Sequence, residues 1–126
     1  MRVFPTLPEL GDLRVAENDI YWYYDGPRLF AATNEREDWF LVVWYDEDDV
    51  DDPGPFTEWV CVRVSTERLE AIRTGRLEIR RVFTECEYGG VYLIHEAPLG
   101  STVRELSIGE LDVDALPAAG EFVTTA

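Results

Sequence analysis

Hydrophobic and polar positions in this chain come in short alternating blocks, not in long helical stripes. The densest block, Trp39-Phe40-Leu41-Val42-Val43-Trp44-Tyr45, is apolar throughout and free of Gly and Pro. A run of that length, rich in aromatic and β-branched residues, predicts a strand buried on both faces at the middle of a sheet. Its expected neighbour is Thr57 to Val64, where Val60, Val62 and Val64 share one face and Trp59 and Cys61 the other. The segment from Asp46 to Pro55 between them is too short for a crossover helix, so the pair is expected to be antiparallel.

The same period-2 logic extends outward. Ile20-Tyr21-Trp22-Tyr23-Tyr24 and Leu29-Phe30-Ala31-Ala32-Thr33 form a hairpin pattern around Asp25-Gly26, with Pro27 lengthening the loop. Asn34 to Asp38 is a polar turn into the central strand. Val91 to His95 is a further strand, closed by Pro98 and Gly100, and Val103 to Ile108 another. Two stretches change to helical spacing. Ser65 is placed to cap a helix with Glu67 in its first turn, Leu69 and Ile72 on the buried stripe, Arg73 in its last turn and Gly75 as the stop. Ile79, Val82, Phe83 and Cys86 follow the i, i+3, i+4, i+7 rule for a second. Asp112 to Leu116 suits one turn of helix ended by Pro117, and Phe122 and Val123 are expected to anchor the tail.

This order predicts an α+β fold: a single antiparallel sheet of about five or six strands with a short helix pair, about 66–74 and 78–86, on one face. Val42, Val60, Ile72 and Phe83 are expected to be buried between sheet and helices. The 126 residues are read as a single domain spanning 1–126, in which 1–17, with Pro5, Pro8 and Gly11, is an irregular N-terminal arm.

Three pieces of this pattern resemble a family of small prokaryotic domains of unknown function. They are Tyr24-Asp25-Gly26-Pro27 through Trp39–Asp46; Val64-Ser65-Thr66-Glu67-Arg68-Leu69…Gly75-Arg76-Leu77…Arg81-Val82-Phe83 leading to Val91-Tyr92-Leu93; and Leu116-Pro117…Gly120-Glu121-Phe122. The likeness covers most of residues 20–123. It implies a fold, brings no activity and supplies no catalytic residues.

Charge changes the picture most. The net charge is −15, and all eleven basic residues are arginine. Such a chain can come from a salt-loving or high-GC organism, can imitate nucleic acid, or can simply be an acidic domain. Binding DNA or an anionic membrane directly is disfavoured, because phosphate contacts need a positive face. No apolar run approaches the ~20 residues that span a membrane, and Met1-Arg2-Val3-Phe4-Pro5 shows no signal-peptide pattern. Cys61 and Cys86 lack CxxC spacing and are read as free thiols in a reducing cytoplasm.

Candidate chemistry is sparse. In the acidic run, Glu47, Asp49, Asp51 and Glu58 match positions 1, 3, 5 and 12 of a calcium loop, but Asp52 stands where that loop needs Gly and strands flank it. A solvated loop is the better reading. His95, the only histidine, sits beside Glu96, yet adjacent strand residues point to opposite faces and no nucleophile accompanies them. One His and two dispersed Cys fall short of a zinc site, and no glycine-rich phosphate loop is present. No metal or cofactor is expected.

One local asymmetry remains. Residues 63–81 hold six arginines against three glutamates. Arg73, Arg76, Arg80 and Arg81 are candidate partner-binding residues, with Arg80 and Arg81 expected to face solvent. The chain therefore reads as a non-enzymatic, cytoplasmic domain that binds another protein or itself, as a regulatory or accessory module. The alternatives are an acidic nucleic-acid mimic that inhibits a DNA- or RNA-binding protein, and a metal-dependent hydrolase using the acidic loop.

Overall fold

A computed structural model of the chain describes residues 3–4, 11–23, 27–48, 55–88, 90–98, 100–106 and 108–123. Seven strands form one antiparallel sheet in which each strand pairs only with its sequence neighbours. They are β1 (Val3–Phe4), β2 (Leu13–Tyr23), β3 (Pro27–Thr33), β4 (Trp39–Asp48), β5 (Phe56–Val64), β6 (Val91–Ala97) and β7 (Gly100–Leu106). Helices α1 (Thr66–Arg73) and α2 (Ile79–Thr84) lie between β5 and β6, and two single 3-10 turns, Ile108–Glu110 and Val113–Ala115, follow β7. The fold is α+β and dominated by strands.

β4 occupies the centre of the sheet, and Phe40, Leu41, Val42 and Val43 are all buried. The pairing with β5 is antiparallel, with Leu41 opposite Val62 and Val43 opposite Val60. Strict alternation separates two apolar clusters. On one face Leu29, Leu41, Val43, Val60 and Val62 meet Leu69, Ile72, Ile79, Val82 and Phe83 of the helices. On the other, Phe30, Phe40, Val42, Trp59, Cys61 and Ile94 pack together. Val42 is therefore fully buried but faces away from the helices, unlike its neighbour Val43. A one-residue step along a strand always changes face.

The expected single antiparallel sheet is present, with seven strands among the described residues beside the expected about five or six. The supposed arm needs correction, because it contributes to two of those strands. β1 pairs Val3 with Arg14 and Phe4 with Leu13. Leu13 and Val15 are buried and Arg14 is exposed, so the period-2 signal exists but lasts only three positions. The exposed pair Glu17-Asn18 then interrupts it, and the register with β3 shifts between Val15 and Ile20. Residues 5–10 lie outside the described set.

The helix signals hold. The Ser65 hydroxyl accepts from the Arg68 N–H at 3.1 Å, which satisfies one of the free donors at the start of α1. Gly75 ends α1 at φ +71°, and a Cβ there would stand 2.9 Å from the carbonyl oxygen of Val123. Glycine is thus required twice, for the left-handed turn and for the close passage of the C-terminal segment. That segment docks on α2 through the Ile79 N–H to the Glu121 carbonyl at 3.0 Å. Leu116 and Val123 are buried in the helix-side core, whereas Phe122 is exposed. At the β3–β4 turn, Asn34 is buried and its Oδ1 accepts from the N–H groups of Arg36 and Asp38. Among the described residues, no helix is long and apolar enough to cross a membrane.

Candidate functional site

All four arginines proposed for docking have partners within the chain. Arg73, in the last turn of α1, donates from Nε and Nη2 to the two oxygens of Asp19 at 2.7 and 2.8 Å. Its guanidinium also lies 5.7 Å from the Trp39 ring centroid. Asp19 is only 6% exposed and accepts the Tyr21 hydroxyl at 2.9 Å. Burial alone would raise the Asp19 pKa, but the hydrogen bonds from Arg73 and Tyr21 outweigh it and hold the carboxyl below its ordinary value. Tyr21, half-buried beside that carboxylate, is pushed well above the usual phenol range, first by desolvation and then by Asp19. Arg76 donates to Thr74 Oγ1 at 2.8 Å and Arg81 to Glu85 Oε2 at 2.6 Å. Arg80, expected in solvent, is half-buried and reaches the Pro117 carbonyl at 3.3 Å. α2 is short enough that a residue beside its apolar stripe is overlapped by the C-terminal segment.

His95 pairs across the sheet, not along the chain. Its Nδ1 is 3.0 Å from Glu58 Oε2, because β5 and β6 place those two residues opposite each other. Phe56 stacks on its ring at 5.0 Å. Glu96, on the other face, accepts the Trp59 indole N–H at 2.6 Å. Cys61 is fully buried, and desolvation alone pushes its thiol far up; burial also raises Cys86. Neither thiol has thiolate character at neutral pH. Among the described residues no three His, Cys, Asp or Glu side chains are grouped to hold a metal ion. Of the acidic segment, Asp46 and Glu47 are exposed on β4, whereas 49–54, which would carry most of a calcium loop, lie outside the described residues.

A cavity of about 530 Å³ opens elsewhere, at a fork in the sheet. Among the described residues the β3–β4 ladder runs from Thr33–Trp39 to Leu29–Val43, and Arg28 and Trp44 lie just beyond its last pair. Register shifts flank the fork, at Trp22 in β2 and between Trp44 and Asp46 in β4. Bulges of this kind re-aim side chains and gather beside functional sites. β2 contributes Trp22 to the wall, β3 Arg28, and β4 Val43, Trp44 and Glu47; the segment 115–121 closes it with Leu116, Pro117 and Glu121. The Arg28 guanidinium lies 5.1 Å from the Trp44 ring centroid and 3.8 Å from Glu47. The Trp44 Nε1–H is enclosed and meets no acceptor among the described residues, and a buried donor left unpaired costs on the order of 1–3 kcal/mol. The cavity is thus a largely apolar recess with two indoles, one guanidinium and two carboxylates.

A family model of unknown function, DUF6575, matches residues 1–125. The chain belongs to that family. No curated protein and no solved structure matches it. Membership in DUF6575 assigns no site, so the chemistry of this member rests on its own geometry. The stretch Leu116-Pro117…Glu121, noticed in the sequence only as the end of a helical turn and as part of the family resemblance, is one wall of the recess. Sequence reasoning missed Trp22, Arg28, Trp44, Glu47 and Glu121 as a group. The available signal was a pair of tryptophans, one on each side of the Asp25-Gly26 hairpin and its following strand, each close in sequence to charged residues.

Proposed function

We propose that this chain is a non-enzymatic, accessory or regulatory module that docks a basic segment of another protein. The observation that carries this reading is the disposition of its cations. Arg73, Arg76, Arg80 and Arg81, the arginines expected to hold an acidic partner, are each engaged inside the chain. What remains towards solvent is a surplus of carboxylate on a chain of net charge −15. Such a surface steers cationic partners and repels anionic ones. It equally disfavours self-association, since two copies carry like charge.

The test is selection from a display library of random peptides with the purified protein as bait. Enrichment of arginine- and lysine-rich sequences, with binding that weakens as salt rises, is expected. Enrichment of acidic sequences, or none, would sink the proposal. A second reading, nucleic-acid mimicry, also draws on the net charge of −15. It requires that the captured partner be a nucleic-acid-binding protein and that duplex DNA or RNA compete for the same surface.

A further inference from the structure

We propose that the cavity at the β2–β3–β4 fork receives an arginine side chain from the partner's basic segment. This rests on the binding-module reading above and adds where and by what chemistry the partner is held. A recess of about 530 Å³ lies within the roughly 300–1,000 Å³ of ordinary ligand sites. It takes a long side chain with the backbone on either side of it. Pro117 and the indoles present an apolar channel for the aliphatic stem. Trp22 is half-buried and makes no ring or cation pair among the described residues, so its π-face suits a planar cation. Glu47 and Glu121 are exposed at the same recess and supply negative charge.

Charge decides between occupants. An anionic group would have to recruit Arg28, which already lies over Trp44 beside Glu47, and would meet two carboxylates with one guanidinium. A second copy of the chain brings another −15. A cation meets neither obstacle. The wall also contains an internal precedent, since Arg28, Trp44 and Glu47 already combine a guanidinium, an indole and a carboxylate at one side of it. Arginine is favoured over lysine because its flat guanidinium stacks on an aromatic face and bonds a carboxylate by a fork of two N–H groups.

The probe is an acetylated, amidated glycine/serine peptide carrying arginines, beside versions with lysine, citrulline or glutamate in their place. It is titrated into the nitrogen-labelled full chain at low salt, with amide and indole signals followed by NMR. The arginine peptide is expected to move the Trp22 indole and Ala118 amide signals and to leave those of Arg63 and Tyr88 in place. Replacing arginine by neutral, isosteric citrulline should weaken binding at least about tenfold, and lysine should bind more weakly than arginine. Glu47→Gln with Glu121→Gln should also cost about tenfold. Glu67→Gln with Glu105→Gln, an equal change in net charge at exposed positions elsewhere, should cost less than about twofold. Binding of the arginine peptide with equal losses in the two double variants, or with shifts away from the fork, would overturn the cavity and leave the module reading standing. Equal binding of the lysine peptide would overturn the choice of arginine. If no basic peptide binds here and none is enriched in the display selection, both readings fall.

Discussion

Among the described residues, two arginines lie over indole rings with a carboxylate beside them, and the two groupings behave differently. Arg73 is 5.7 Å from the Trp39 ring and grips both oxygens of Asp19 at 2.7 and 2.8 Å. Arg28 is nearer its ring, 5.1 Å from Trp44, but Glu47 stands 3.8 Å away. Asp19 is buried and Glu47 is exposed. The same three chemical groups therefore make a latch in one place and an adjustable wall in the other. What separates them is the solvent left around the carboxylate. An enclosed carboxylate depends on its cation, whereas an exposed one is shared with water. The latch ties β2 to the end of α1, and its positive charge also complements the α1 C-terminus.

The largest effect should come from breaking the latch. Arg73→Met leaves Asp19 enclosed without its cation and should cost about 2–3 kcal/mol, at or below the usual cost for a buried pair because Arg73 is itself part-exposed. Arg28→Met should cost less than about 1 kcal/mol. Urea denaturation of both variants measures this, and equal losses would end the distinction. The pH dependence follows from the same pair. The Asp19 pKa is lowered in the folded state, so its contribution is fully present above the ordinary value of 3.8 and is lost as pH falls through the folded value. Tyr21 is raised, so its contribution is complete below 10.0 and is lost as pH rises through its folded value. Asp19→Asn should flatten the acid limb of a stability-versus-pH curve. An unchanged acid limb in that variant would show that other carboxylates carry it.

The two groupings also show where sequence patterning stops. β4, β5 and the two helices are legible because their signals are local: alternation at Val60, Val62 and Val64, a cap at Ser65, a stop at Gly75. β2 is only half legible, since Glu17 and Asn18 face solvent and break its alternation where the register shifts. Nothing near Asp19 in sequence announces a buried carboxylate, because the group that makes burial tolerable is Arg73, 54 residues on. His95 illustrates the same point: its partner is Glu58 across the ladder and not the adjacent Glu96. The fork is the least legible feature. It exists because, among the described residues, one ladder has its last pair at Leu29–Val43 and a distant segment around Leu116 closes over it. Ladder length and tail docking are properties of the assembled fold.

A smaller effect tests geometry in place of charge. Arg73→Lys keeps the charge but loses the fork that spans both Asp19 oxygens. It should cost about 1 kcal/mol, the worth of one hydrogen bond. Arg28→Lys should cost less than Arg73→Lys, because the 3.8 Å contact to Glu47 has no two-bond fork to lose. If Arg28→Lys proves the costlier of the two, the wall is the more rigid grouping and the comparison is inverted.

The smallest effect is the most discriminating. Two double-mutant cycles, Arg73→Met with Asp19→Asn and Arg28→Met with Glu47→Gln, isolate each pair from the other contacts of its members. The Arg28–Glu47 coupling should be about 0.2–0.5 kcal/mol at low salt. It should vanish in molar salt, where the screening length is about 3 Å. The Asp19–Arg73 coupling should be several times larger and nearly unchanged by salt, since little solvent reaches the buried carboxylate to screen it. A salt-sensitive Asp19–Arg73 term would mean that the latch opens in solution. A large, salt-resistant Arg28–Glu47 term would mean that Glu47 is already committed within the chain. Glu47 would then have little attraction left for a guanidinium from outside, so the size of this one coupling bears directly on whether the fork can receive a partner.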